Sequence, residues 1–146
     1  MAASAAVEAA RAENADDLRA AAADLAVLDA VRTGTVLGSV LRTLLEEQHA
    51  DGLDGDDLRA VLEHSATSAA VWLPETDPEV LLVVLAGALG VHPEEADGIA
   101  RPGPMAVGLH APVLIADLMA GTRRRLESYL EAAFAEIARA ETMEAP

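Results

Sequence analysis

Apolar residues recur along most of this 146-residue chain at the three- and four-residue spacing that places them on one face of an α-helix. The repeat starts near Leu18, is interrupted at 33–35, and continues over 36–45. The Val83–Val84 segment would also suit a buried strand, but no second segment is available to pair with it. We therefore predict an all-α, single-domain bundle of about five helices over residues 14–146.

Residues that suit helix ends support this division. Asn14 and Asp54 each precede an aspartate by three residues, which is typical of a helix N-cap. Gly52 suits the left-handed position that follows the last turn of a helix. Because Gly52 and Asp54 are only two residues apart, they predict a helical hairpin at this point of the chain.

Four other segments depart from simple amphipathic helices. Residues 1–13 have weak periodicity and are predicted to form a flexible or frayed N-terminal arm. The segment 78–100 predicts two short helices that meet in a helix-turn-helix-like corner. Residues 101–112 are rich in proline and glycine yet apolar, which predicts a packed loop or lid. Beyond them, the apolar spacing holds across Gly121 and predicts one long C-terminal helix bent there, with two helices as the alternative.

The composition of the chain reduces the number of function classes to consider. Hydrophobic residues make up 52% of the chain and aromatic residues only 2%, so alanine, leucine and valine must fill the core. The net charge of -15 favours solubility and repels nucleic acid and anionic membranes. There is no cysteine, and every basic residue is arginine, which suggests a GC-rich bacterial genome. The N-terminus has no secretory pattern and the longest apolar run is too short to span a bilayer, so we expect a cytoplasmic protein.

The spacing of the 78–100 corner is similar to that of DNA-binding regulators, but its charge is not. The second helix would carry Glu94, Glu95 and Asp97 with no arginine or lysine. DNA affinity comes largely from neutralising phosphates, which these carboxylates oppose. A DNA-binding regulator is therefore the least favoured of three interpretations.

Candidate catalytic and metal-binding groups are few. Glu46 and His49 share a helical face, but a di-iron site needs a second such motif and two further glutamates. The aspartates of 51–57 do not fit a calcium-binding loop, because no register supplies the glycine and the final glutamate. His110 is the best single candidate for a functional histidine, although a helix-capping or loop-packing role is favoured over a functional one. We predict no enzymatic activity, no metal and no cofactor.

Two hypotheses from different classes remain. The favoured one is a non-enzymatic, acidic protein-interaction module that forms a homodimer through its C-terminal helix. The stripe expected to form that interface consists of Leu118, Leu126, Tyr129, Leu130, Phe134 and Ile137.

The alternative is a helical bundle that binds a small apolar molecule. Its pocket would lie beneath the predicted 101–112 loop, because that segment is apolar yet interrupted by proline and glycine. The side chains expected to contact the molecule are Trp72, Met105, His110 and Met119. A cavity of several hundred Å³ would favour this hypothesis over the interaction module.

Overall fold

The structure, a computed structural model, describes residues 2–91 and 100–144. Seven α-helices and no strand lie within these two ranges, so the all-α prediction is confirmed and the expected number of about five helices is too low. The helices are α1 (Ala2–Arg11), α2 (Ala15–Ala26), α3 (Ala30–Gln48), α4 (Gly55–Ala70), α5 (Pro78–Ala88), α6 (Pro104–Met119) and α7 (Leu126–Glu144).

Side-chain caps begin α2 and α4 where the sequence indicates them. Asn14 Oδ1 accepts a hydrogen bond from the backbone N–H of Asp17 at 3.0 Å. At the start of α4, Asp54 and Asp57 cap each other's backbone N–H groups at 2.8 and 3.1 Å. These bonds satisfy donors that a helix N-terminus otherwise leaves without partners. Gly52 precedes this cap with φ of 104°, the left-handed conformation expected of it.

The predicted N-terminal arm is instead helix α1. Ala6 and Val7 are buried, and α1 packs against both α2 and α6. The weak apolar periodicity was misleading because alanine contributes little hydrophobicity. A face of alanines nevertheless lets a helix approach its neighbours closely, and this contact fixes the segment.

The predicted 101–112 loop is also wrong, because Pro104 starts the central helix α6. Pro104 occupies the first turn, where its missing N–H costs nothing, and Pro112 lies inside the helix. An interior proline costs about 3 kcal/mol. Nearly every residue from Gly108 to Met119 is buried, and each large aliphatic side chain among them contributes about 1.5–3 kcal/mol. Burial against α1 to α5 therefore outweighs the cost of the proline.

The C-terminal region forms two helices rather than one. A turn at 120–125 separates α6 from α7, which packs on α3. Gln48 Nε2 donates a hydrogen bond to the carbonyl of Leu118 at 2.6 Å. A side chain from α3 thus supplies a hydrogen-bond partner for a backbone carbonyl at the C-terminal end of α6. The buried Tyr129 hydroxyl donates to Glu47 at 2.9 Å, and burial raises the pKa of this phenol. These bonds hold the turn against α3.

The first half of the predicted helix-turn-helix corner lies within the described residues. Helix α5 is capped by Asp77 and begins with Pro78. It ends before Gly90, which has a φ of 83°. The second helix is expected at 93–100, and residues 93–99 of it lie outside the described residues. Within the described ranges, no helix is both long enough and apolar enough to cross a membrane.

Candidate functional site

A cavity of about 670 Å³ lies between the first half of α3, the second half of α5 and the start of α6. We call it the glycine-lined cavity, after Gly34 and Gly38 of α3 and Gly87 of α5. Cavities of this size are typical of sites that hold small organic molecules.

Most of the lining is aliphatic. Leu37 and Ala111 are buried parts of the core that also face the cavity, and Val83, Val84 and Val107 extend this apolar wall. An apolar wall with few polar groups favours a ligand with a largely hydrocarbon body, because transfer of that body out of water supplies the binding free energy.

Gly34 and Gly38 are unusual residues for the interior of a helix, and Gly87 lies in the last turn of α5. A Cβ atom at Gly34 or Gly87 would meet no described atom within 4 Å, and at Gly38 it would meet only the Cα of Ala88, at 3.9 Å. None of the three has the positive φ that requires glycine. Glycine inside a helix costs about 0.5–1 kcal/mol relative to alanine. Neither close packing nor backbone conformation explains these residues, and what they provide is open space.

Polar groups lie at the side of the cavity that faces α7. Ser39 Oγ donates to Glu136 Oε2 at 3.1 Å. Arg42 Nε donates to Glu46 Oε1 at 2.8 Å, and this hydrogen bond is the largest of the effects that raise the pKa of the Arg42 guanidinium above its usual value. Arg42 thus stays cationic, and its charge is met by a neighbouring carboxylate.

An exposed apolar surface adjoins the cavity at the junction of α2 and α3. Val27, Leu28 and Val31 are 84%, 53% and 81% exposed, and Val31 also lines the cavity. We call these three residues the α2–α3 apolar patch. Single exposed apolar side chains are ordinary, but three within five residues at the edge of an apolar cavity are typical of a binding surface.

The structure does not bring the predicted ligand-binding residues together. Met119 is buried in the core, Met105 is exposed, and Trp72 lines a different and smaller pocket. None of the four predicted residues is among the described lining of the glycine-lined cavity. The reason is that 104–112 is core helix rather than a loop over a pocket.

His110 has a structural role. Its Nε2 accepts a hydrogen bond from the backbone N–H of Asp77 at 3.0 Å, so Nδ1 carries the proton that is donated to the carbonyl of Ala106 at 2.7 Å. The ring is 3% exposed and joins the start of α5 to α6. Both ring nitrogens are occupied, and the histidine serves packing, as the sequence allowed.

Most of the residues predicted to form the dimer interface are buried inside the chain itself. Leu118, Leu126, Tyr129 and Leu130 are buried in the core. The two remaining positions are on α7, where Phe134 is 37% exposed and Ile137 is half-buried against the core.

The Glu46–His49 pair does not point to a metal. Glu46 accepts the hydrogen bond from Arg42, and His49 Nδ1 bonds the carbonyl of Leu45 at 2.9 Å. Among the residues that the structure describes, no cluster of three or more histidine or acidic side chains is arranged to hold a metal ion.

Sequence reasoning missed the glycine-lined cavity although a signal was present. Gly34 and Gly38 are four residues apart within a helical repeat, which places them on one face of α3. The first of them was instead interpreted as part of an interruption at 33–35.

No protein-family model, no curated protein and no solved structure matches the chain.

Proposed function

We propose that this chain is a non-enzymatic binding module that holds a small, largely apolar molecule in the glycine-lined cavity. The observation that carries the proposal is the set of three helical glycines. Gly34 and Gly38, inside α3, each give up about 0.5–1 kcal/mol relative to alanine. Gly87 lies in the last turn of α5, and at all three positions the missing side chain leaves space in one aliphatic cavity.

The composition of the lining supports a ligand with a hydrocarbon body and few polar groups. The aliphatic wall has no aromatic side chain among its described residues, so stacking contributes nothing to recognition. Ser39, Arg42 and Glu136 each already have a protein partner. The other polar side chains of the described lining are Thr33, Thr35 and Arg101. Binding free energy then comes from buried apolar area, at about 25 cal/mol per Å².

The proposal is tested with N-phenyl-1-naphthylamine, an uncharged dye whose fluorescence rises in apolar surroundings. We expect saturable binding by the unaltered chain. In Gly34→Leu or Gly87→Leu, the new side chain occupies part of the cavity, and we expect binding to weaken about tenfold or more. Leucine is also the better helix former, so both variants should fold.

Gly55→Leu is the matched control, because Gly55 starts α4 outside the cavity and a Cβ there meets no described atom. This variant should bind the dye as the unaltered chain does. Absence of saturable binding to the unaltered chain, or equal affinity in the two cavity variants, would contradict the proposal.

A second candidate function is a protein-interaction module that self-associates. The specific observation in its favour is the α2–α3 apolar patch, since its three side chains are exposed and lie within five residues of one another in the sequence. Association through the C-terminal helix has less support, because only Phe134 and Ile137 of the expected stripe lie outside the buried core.

A further inference from the structure

A second pocket, of about 280 Å³, lies between the C-terminal end of α1, the second half of α4 and α6. We call it the Trp72 pocket, because the only tryptophan of the chain lines it. It shares no described lining residue with the glycine-lined cavity. Its chemistry also differs, because polar and charged side chains form much of its wall.

Asp117 is the central polar group of this pocket. It lies half-buried on α6, and its Oδ2 accepts a hydrogen bond at 2.7 Å from Ser65, whose side chain is fully buried. The other carboxylate oxygen, Oδ1, accepts no hydrogen bond from any described residue. Oδ1 therefore has lone pairs that are not used within the described part of the chain, and a ligand with an N–H donor can bond to them.

Two further acceptors line the same pocket. His64 and Ser68 are four residues apart on α4 and therefore lie on one face of that helix. Neither side chain makes a hydrogen bond within the described part of the chain. The carboxylate of Asp117, the hydroxyl of Ser68 and the imidazole of His64 thus offer three acceptors around one space.

The charge balance of the pocket favours a cation. Glu13 adds a second carboxylate to the wall. Arg11 is the one arginine among the described lining residues, and it is paired with Glu8 at 3.2 Å. The indole of Trp72 supplies an electron-rich face, which attracts cations and packs against an alkyl body.

We propose that the Trp72 pocket binds a primary alkylammonium ion. An ammonium group has three N–H donors, which correspond in number to the acceptors on Asp117, Ser68 and His64. The bond to the carboxylate would be charge-assisted, and such bonds are about twice as strong as neutral ones. This site is independent of the proposed apolar ligand, because the two cavities use different residues.

The test uses butylammonium as the probe, with butan-1-ol and butanoate as neutral and anionic counterparts of the same chain length. Trp72 fluorescence and the NMR shift of its indole N–H report binding without a label, because the chain has no other tryptophan. We expect a saturable response to butylammonium, a response at least about tenfold weaker to butan-1-ol, and none to butanoate.

Two variants assign the response to the pocket. Asp117→Asn keeps the shape of the side chain and removes its charge, so we expect butylammonium to bind about tenfold more weakly. Ser68→Ala removes one acceptor without touching the Ser65–Asp117 bond and should weaken binding by a smaller factor. Asp56→Asn is the matched control, because it makes the same charge change at a side chain that is 91% exposed on α4.

Four results would overturn the proposal. The first three are the absence of a saturable response in both readouts, equal affinity for butylammonium and butan-1-ol, and equal affinity in Asp117→Asn and Asp56→Asn. A quaternary ion such as tetramethylammonium has no N–H to donate. If it binds as tightly as butylammonium, the site recognises charge alone and the assignment to primary ammonium is wrong.

Discussion

At the scale of single residues, Glu13 is the described non-glycine residue that adopts a left-handed backbone conformation, with φ of 54°. The Glu13 N–H donates to the carbonyl of Ala10 at 3.1 Å, and the Asn14 N–H donates to that of Ala9 at 3.0 Å. This pair of bonds is a Schellman motif, in which the left-handed position is usually glycine. Glu13 thus ends α1 at a cost in backbone strain.

Glu13→Gly should therefore stabilise the chain. A side chain in the left-handed region costs about 1 kcal/mol, and glycine removes that cost while both backbone bonds remain. We expect the free energy of unfolding, measured by urea denaturation, to rise by about 0.5–1 kcal/mol. Glu13→Ala is the control: it keeps the Cβ atom and should give none of this gain. Equal stabilities of the glycine and alanine variants would show that strain at position 13 is not the cause.

At the scale of helices, α6 crosses α2 at Gly108. A Cβ atom at this position would lie 3.2 Å from both the Cα and the Cβ of Ala22. The two helices can approach this closely because both contact residues are small. Since the chain is rich in alanine, other pairs of helices can make the same kind of close contact. Small residues at the crossing thus set how the central helix meets its neighbour.

The same substitution at two glycines should have opposite effects. At Gly108, alanine forces α2 and α6 apart, and overpacking of about 1–3 kcal/mol should exceed its gain in helix propensity. At Gly34, alanine meets open space and should stabilise the chain by about 0.5–1 kcal/mol. Thermal unfolding of both variants measures the difference. A Gly108→Ala variant as stable as Gly34→Ala would contradict the close crossing.

At the scale of the whole molecule, charge opposes association. Each copy carries a net charge of -15, so two copies repel each other until salt screens them. If the second candidate function is right, the apolar contact must overcome this repulsion. Self-association should then strengthen as sodium chloride is added, in contrast to contacts held by ion pairs.

Light scattering across a range of protein and salt concentrations tests this expectation. Val31→Glu places a charge in the α2–α3 apolar patch and should leave the chain monomeric where the unaltered chain associates. Phe134→Glu is the matched variant on α7, where the sequence placed the interface, and should leave association unchanged. If the unaltered chain is monomeric under all conditions, this candidate function is wrong. If association is lost in Phe134→Glu alone, the interface lies on the C-terminal helix, as the sequence predicts.

The sequence alone was sufficient to predict features that depend only on residues close together along the chain. The caps at Asn14 and Asp54 and the turn at Gly52 form as expected, because a capping bond spans two or three residues and needs no distant partner. The all-α class also follows from local spacing. Where local signals compete, the sequence was a poorer guide: α3 is capped by Asp29, and the helix runs through Gly34 and the predicted interruption at 33–35.

Only the tertiary structure decided which apolar faces are used within the chain. Pro112 would end an isolated helix, but burial of the surrounding residues keeps α6 intact. Four of the six residues predicted to form a dimer interface are buried in the core, because the turn at 120–125 folds α7 back against α3. Burial depends on residues distant in sequence, so local spacing shows that a helix has an apolar face but not what covers it. For the same reason, the two cavities became visible only once the helices were packed.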